Sequence, residues 1–170
     1  MGLDMYLYKA TKTKDINSAN FELRDSLYRE DPQMYDDILP YCDKAIGIYE
    51  YIDTGKLLKD KGIEKTCGYF YRGDGFGIVK ENGEEEVFSY EWLRENGYVV
   101  IEEELTYYCN LEEIAYWRKA YDTQELFYDY IGHVENCGYY KVDPEFLSTL
   151  SDLEEEDFFG DEPIFYHEWY

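Results

Sequence analysis

The chain has 170 residues, of which 39 are Asp or Glu and 16 are Lys or Arg, for a net charge of −23. Aromatic residues make up 19% and 21 residues are Tyr, which excludes a disordered polyanion, because disordered chains are poor in aromatics. The length suits a single domain over 1–170.

Residues 3–8 alternate in polarity and predict a strand. Polar 11–20 reads as a loop, and 21–29 and 32–39 read as short helices, the second with Pro32 at its favoured first position and Pro40 as its stop. The β-branched and aromatic content of 44–52 favours a strand, and 56–62 reads as a short helix or turn. The clearest β signal is 66–80, where Tyr69-Phe70-Tyr71 and Phe76-Gly77-Ile78-Val79 flank the turn Arg72-Gly73-Asp74-Gly75. An acidic connection over 81–86, helical turns at 89–96 and a long strand (or two short ones) over 98–108 follow.

Residues 110–132 carry the strongest helix signal. Asn110 and Glu113 are spaced as a capping box, and Gly132 stands where a C-cap is expected. Ile114, Trp117, Ala120, Tyr121, Phe127 and Ile131 recur at roughly helical spacing. Beyond it, 137–142 reads as a strand, Asp143-Pro144 opens another helix, 154–162 is acidic, and the aromatic tail 165–170 should pack on something. The pattern predicts an α+β fold, with a mixed or antiparallel sheet and a long central helix over about 110–132 packed on it.

The charge is unevenly placed. Residues 1–80 hold 14 acids and 12 bases, whereas 81–170 hold 25 acids and 4 bases. The halves therefore suggest two potential lobes, one near-neutral and one strongly acidic. A long single-sign field destabilises a compact state by self-repulsion, so its confinement to one half calls for a reason.

Little in the chain is set up for chemistry. Gly73-Asp74-Gly75-Phe76-Gly77 is glycine-rich, but no helix follows it as phosphate-cradling loops require. His133 and His167 are the only imidazoles and lack triad context. Cys42, Cys67, Cys109 and Cys137 form no Cys-x-x-Cys pair, and the acids miss the calcium-loop spacing, so no metal and no cofactor are expected. No apolar run is long enough to span a bilayer. The N-terminus lacks a signal-peptide pattern, and Tyr6 stands where myristoylation favours Ser or Thr. These features lead us to expect a cytoplasmic protein with reduced thiols.

Met1-Gly2-Leu3-Asp4-Met5-Tyr6-Leu7 and Glu113-Ile114-Ala115-Tyr116-Trp117-Arg118-Lys119-Ala120 resemble a family of small uncharacterised phage and prophage proteins. Cys137-Gly138-Tyr139-Tyr140 and Phe158-Phe159-Gly160 are similar to the same family. Where its members have Asn, then His and Trp, this chain has Tyr121, Gln124 and Leu126. The resemblance implies a phage context and no particular reaction; with the cytoplasmic location expected above, that means the host-cell cytosol.

Carboxylates interleaved with Tyr can present a field comparable to that of duplex DNA, which carries about one negative charge per 1.7 Å of its axis. Such a surface suits a Lys/Arg-lined groove built for nucleic acid, and it should repel nucleic acid itself. The leading expectation is therefore a non-enzymatic anti-defence inhibitor, anti-CRISPR-like, that binds a host nuclease such as Cas9, whose PAM-reading site is lined with Arg. The residues expected to bind that partner are Glu102, Glu103, Glu104, Glu112, Asp122, Glu125, Glu154, Glu155, Glu156 and Asp157. The alternatives are a carboxylate- or metal-dependent enzyme on nucleotides or sugars, and a phage housekeeping protein whose charge serves solubility.

Overall fold

The alternating residues near the N-terminus form the middle strand of a sheet. A computed structural model describes Gly2–Tyr170; Met1, the first residue of the opening heptapeptide, lies outside the described residues. Strand β1 (Asp4–Thr11) pairs antiparallel with both β7 (Val99–Arg118) and β9 (Ile164–Trp169). Strand β7 also pairs with β2 (Phe21–Arg24) and β3 (Asp43–Ile52), and β9 pairs with β8 (Tyr139–Val142).

The chain divides into two compact units, Met1–Gly47 with Glu104–Tyr170, and Ile48–Glu103. The charge step near residue 80 thus falls inside the second unit and does not mark the boundary between the two. The fold is α+β with antiparallel sheets and is strand-dominated, 41% strand against 28% helix, so no long central helix organises it.

In the first unit both faces of the sheet are covered. Along β1 and β9 successive side chains point to opposite faces. Met5, Leu7, Ile164 and Tyr166 join a core with Phe127, Leu147 and Phe158. Those last three come from helices α5 (Tyr121–Ile131), α6 (Pro144–Leu147) and α7 (Glu155–Phe158). Ala10 and Phe165 face a second core with Phe21, Leu23 and Ile38, against which Tyr28 of α1 (Asp25–Glu30) and Tyr35 of α2 (Pro32–Tyr35) pack.

The second unit is a three-stranded meander of β4 (Thr66–Arg72), β5 (Gly75–Lys80) and β6 (Glu85–Ser89). Arg72 pairs with Gly75 across the predicted turn, in which Gly73 has φ 61°, a left-handed value that glycine adopts without steric cost. Helices α3 (Thr54–Asp60) and α4 (Tyr90–Glu95) are capped by Asp53 and Ser89. Leu57 of α3 and Leu93 of α4 close a core over Phe76, Ile78 and Phe88. Trp92 stacks between Phe88 and Tyr98, at 5.3 and 5.5 Å.

The helix expected over 110–132 is overturned in its first half. Residues up to Arg118 are strand, α5 is 11 residues long, and its N-cap is Ala120. Asn110 caps nothing; its side-chain oxygen accepts from the Asn20 backbone at 3.1 Å. The cause is tertiary. Strand β1 runs antiparallel along 110–118 and supplies the backbone partners a helix would have supplied to itself. A bulge set against Leu7 and Tyr8 leaves Ile114 as the extra residue in β7. Ile114, Ala115 and Trp117 consequently pack on one core, and their spacing imitates a helical stripe. Lys119 at φ 55° then breaks the strand. Residues 21–24 are likewise strand, not helix, paired to 106–109 of β7, and Pro40 lies inside a single 3-10 turn. Gly132, at φ 89°, does terminate α5.

Candidate functional site

The ten carboxylates singled out in the sequence fall into separate groups. Glu104 lies on β7, where its carboxylate takes a 2.9 Å ion pair from Arg24 and accepts the Ser26 backbone N–H at 2.5 Å. The bonds from Ser26, ahead of the Arg24 contact, hold its carboxyl below the usual range. It is a structural tie and offers little to a partner. Glu102 and Glu103 are exposed in the second unit, and Glu102 accepts from the Tyr51 hydroxyl at 2.9 Å. Glu112 is exposed on β7, with Lys9 directly opposite on β1.

The remaining six, Asp122, Glu125, Glu154, Glu155, Glu156 and Asp157, lie on or at the start of two helices that pack against one core of the first unit. Asp122, Glu125 and Asp129 are exposed on α5. Their spacing of three and four puts them on one helical stripe, and the buried Phe127 points the other way into the core. Glu145 of α6 and Glu154, Glu155 and Glu156 at α7 are also exposed. Asp157 is half-buried and closes a capping box with Glu154. The three helices belong to one layer because Phe127, Leu147 and Phe158 share a core. Phe127 meets Phe146 edge-on at 5.3 Å and stacks on Tyr166 at 4.2 Å. The Tyr130 hydroxyl donates to Asp143 at 2.7 Å, tying α5 to the start of α6.

This layer is not self-neutralised. Residues 120–170 contain one Lys or Arg, Lys141. Among the described residues none of the exposed carboxylates on α5, α6 and α7 makes an ion pair with Lys or Arg. Lys141 lies on β8, and its ammonium donates to the Tyr41 hydroxyl at 2.7 Å. Large apolar groups stand among the acids: Tyr121 is 58% exposed, Leu126 49% and Phe159 61%. Asp129, Glu145 and these apolar residues were not among the predicted binding groups. The period of α5 was the one signal that could have revealed Asp129.

Under the layer lies an acid that the sequence reading also missed. Glu168 is fully buried, and its carboxylate accepts from Tyr128 at 2.6 Å, Tyr166 at 2.7 Å and Gln124 at 3.2 Å. Burial first, then these bonds to Glu168, push the Tyr128 and Tyr166 phenols up. The strand alternation that seats Tyr166 and Glu168 inward turns His167 to the opposite face. There it forms an aromatic row across four strands, with Tyr6 opposite Tyr116 and His167 opposite both Tyr6 and Tyr139. His167 stacks on Tyr139 at 4.3 Å, and its Nδ1 lies 3.0 Å from the Gly138 carbonyl. Burial lowers its pKa, so its ring is neutral near pH 7 and occupied in packing. His133 is exposed beside Glu135 at 3.1 Å. A hydrogen bond to Cys109 and burial push the Cys42 thiol up, the opposite of what a nucleophilic thiolate needs; the same bond lowers Cys109, which is fully buried in the core and closed to a substrate. Among the described residues no three His, Cys, Asp or Glu side chains are grouped to hold a metal ion, and no helix is long and apolar enough to cross a membrane.

Compared with known proteins, the chain matches no family model, no curated protein and no solved structure.

Proposed function

We propose that the protein is a non-enzymatic inhibitor of anti-CRISPR type, which seats the acidic helical layer of its first unit in the cationic nucleic-acid groove of a host nuclease such as Cas9. The observation that carries this reading is the set of exposed carboxylates on α5, α6 and α7, fixed on one core and free of the chain's own cations. Rigid placement matters because the backbone of packed helices has little further entropy to lose on binding, which leaves only the side chains to be ordered. Tyr121, Leu126 and Phe159 supply apolar contact area of the kind that dominates interface energies. The phage resemblance of the opening heptapeptide and of Glu113–Ala120 supports an anti-defence setting. Within this reading Asp122, Glu125, Glu154, Glu155 and Glu156 contact the partner, and Asp129 and Glu145 join them. Glu104 serves the fold, and Glu102, Glu103 and Glu112 lie outside the layer's helices.

The test is an inhibition assay with guide-loaded Cas9 and a PAM-bearing duplex, run beside a direct binding measurement. Wild-type protein is expected to block cleavage and to compete with the duplex, with affinity falling steeply between about 50 and about 200 mM salt. The combined variant Asp122→Asn, Glu125→Gln, Glu154→Gln, Glu155→Gln, Glu156→Gln should lose inhibition and keep its fold. Equal inhibition by that variant, or no effect of the wild type on any nucleic-acid-binding nuclease in a host lysate, would remove the reading.

A further inference from the structure

The second unit contains a cleft of about 460 Å³, and its walls are unlike the acidic layer. Such a volume falls in the range of small-molecule sites, which are mostly apolar with a few placed polar groups. Tyr71, Phe76 and Tyr90 form an aromatic wall, and Ile52 and Val99 add apolar surface. Tyr71 meets Phe76 edge-on at 5.6 Å, so that wall is already packed on the core beneath it. Glu50 and Arg94 also line the cleft as a single ion pair at 3.2 Å, with side chains 47% and 59% exposed.

The charges at this cleft define what it can take. Glu50 and Arg94 cancel, so a simple anion such as phosphate meets a carboxylate beside its one cation, and a simple cation meets the reverse. A ligand that carries an ammonium and a carboxylate close together satisfies both. Exposed ion pairs are weak because water screens them, so such a ligand can part this one at low cost. Once the ligand covers them, each new charge-assisted bond is stronger than the solvated contact it replaces. The aromatic wall then suits a flat apolar side chain. We infer that the cleft between β3, α4 and the β4–β5 hairpin binds a free aromatic α-amino acid, with its ammonium on Glu50, its carboxylate on Arg94 and its ring against Tyr71 and Phe76. This inference is independent of the inhibitor reading, because it uses no residue of the helical layer.

The experiment titrates the full chain with L-tryptophan, tryptamine and indole-3-propionate by calorimetry, with wild type, Arg94→Gln, Glu50→Gln and Tyr71→Ala. Wild type is expected to bind L-tryptophan, with each analogue at least about tenfold weaker, since the loss of one charge-assisted bond is worth about that factor. Arg94→Gln should erase the preference over tryptamine, and Glu50→Gln the preference over indole-3-propionate. Tyr71→Ala should weaken all three ligands. Tyr71 is largely exposed, so this variant is expected to fold, and circular dichroism checks that. No heat at millimolar ligand, or equal binding of the three ligands, would overturn the inference. So would Arg94 and Glu50 variants that leave the preferences unchanged.

Discussion

The Tyr128 hydroxyl donates to the buried carboxylate of Glu168 at 2.6 Å, joining the middle of α5 to the last strand. Tyr166 and Gln124 complete the shell, and the Tyr170 hydroxyl lies 2.7 Å from that of Tyr128. Among the described residues, hydroxyl and amide donors surround the Glu168 carboxyl group, with no Lys or Arg beside it.

Replacing Glu168 therefore strands its donors. Glu168→Leu should destabilise the first unit by about 3 kcal/mol, because buried donors left unsatisfied cost about 1–3 kcal/mol each and part of that is relieved by relaxation. Tyr128→Phe removes one bond while keeping the ring, and should cost about 1 kcal/mol. Urea denaturation followed by tryptophan fluorescence measures both, and a Leu variant as stable as wild type would show that the network contributes nothing.

Alkaline pH should unfold the protein in a defined window. Tyr128 and Tyr166 are raised above the ordinary value of 10.0 by burial and by Glu168, and burial, Tyr6 and Glu113 push Tyr8 up to about 12. In each case the fold favours the neutral phenol. Its contribution is complete below pH 10 and is lost as pH rises towards the folded values. Phenolate absorbance should therefore titrate in two stages, with a late fraction that appears together with the loss of structure. A single transition centred on pH 10, with circular dichroism unchanged beyond it, would contradict this.

Phe127 anchors the acidic layer. It is fully buried and touches Trp117, Phe146 and Tyr166 at ring separations of 5.8, 5.3 and 4.2 Å. Phe127→Ala should cost about 3–5 kcal/mol. Amide exchange should accelerate first along α5 and α6, and slow exchange preserved there would argue that the helices are held some other way.

In the second unit, Phe70 lies over Gly77 on the neighbouring strand, and a Cβ at Gly77 would fall within its ring. Gly77→Ala should cost about 1–3 kcal/mol as an overpacked contact. The double variant Gly77→Ala, Phe70→Leu should recover part of that loss. Thermal unfolding of the four proteins completes the cycle, and a neutral single variant would mean the ring swings aside freely.

The unneutralised charge should also respond to salt. Carboxylates on α5, α6 and α7 repel one another, and that repulsion is screened over about 10 Å at 0.1 M ionic strength. The thermal midpoint should rise as sodium chloride is added at neutral pH, and the five-fold Asn/Gln variant should show a smaller rise. Midpoints indifferent to salt in both proteins would place the acids too far apart to interact.

Much of the architecture was legible in local sequence. Gly73 with Asp74 announced the β4–β5 hairpin, Pro144 the start of α6, and Gly132 the end of α5, because each of these residues restricts or frees its own backbone wherever it occurs. Composition alone set the acidity of 120–170, where Lys141 is the one base. What only the tertiary structure decided was the state of 110–118 and the company each carboxylate keeps. Asn110 and Glu113 have helix-start chemistry, but β1 offers this segment a full ladder of backbone bonds, and the bulge at Ile114 disguises a strand's period as a helix's. Glu104 and Glu125 are the same residue type in similarly acidic runs. Arg24, 80 residues away in the chain, claims the first, while packing of Phe127 turns the second out to solvent. Partners that distant are set by the fold's geometry, which no local pattern encodes.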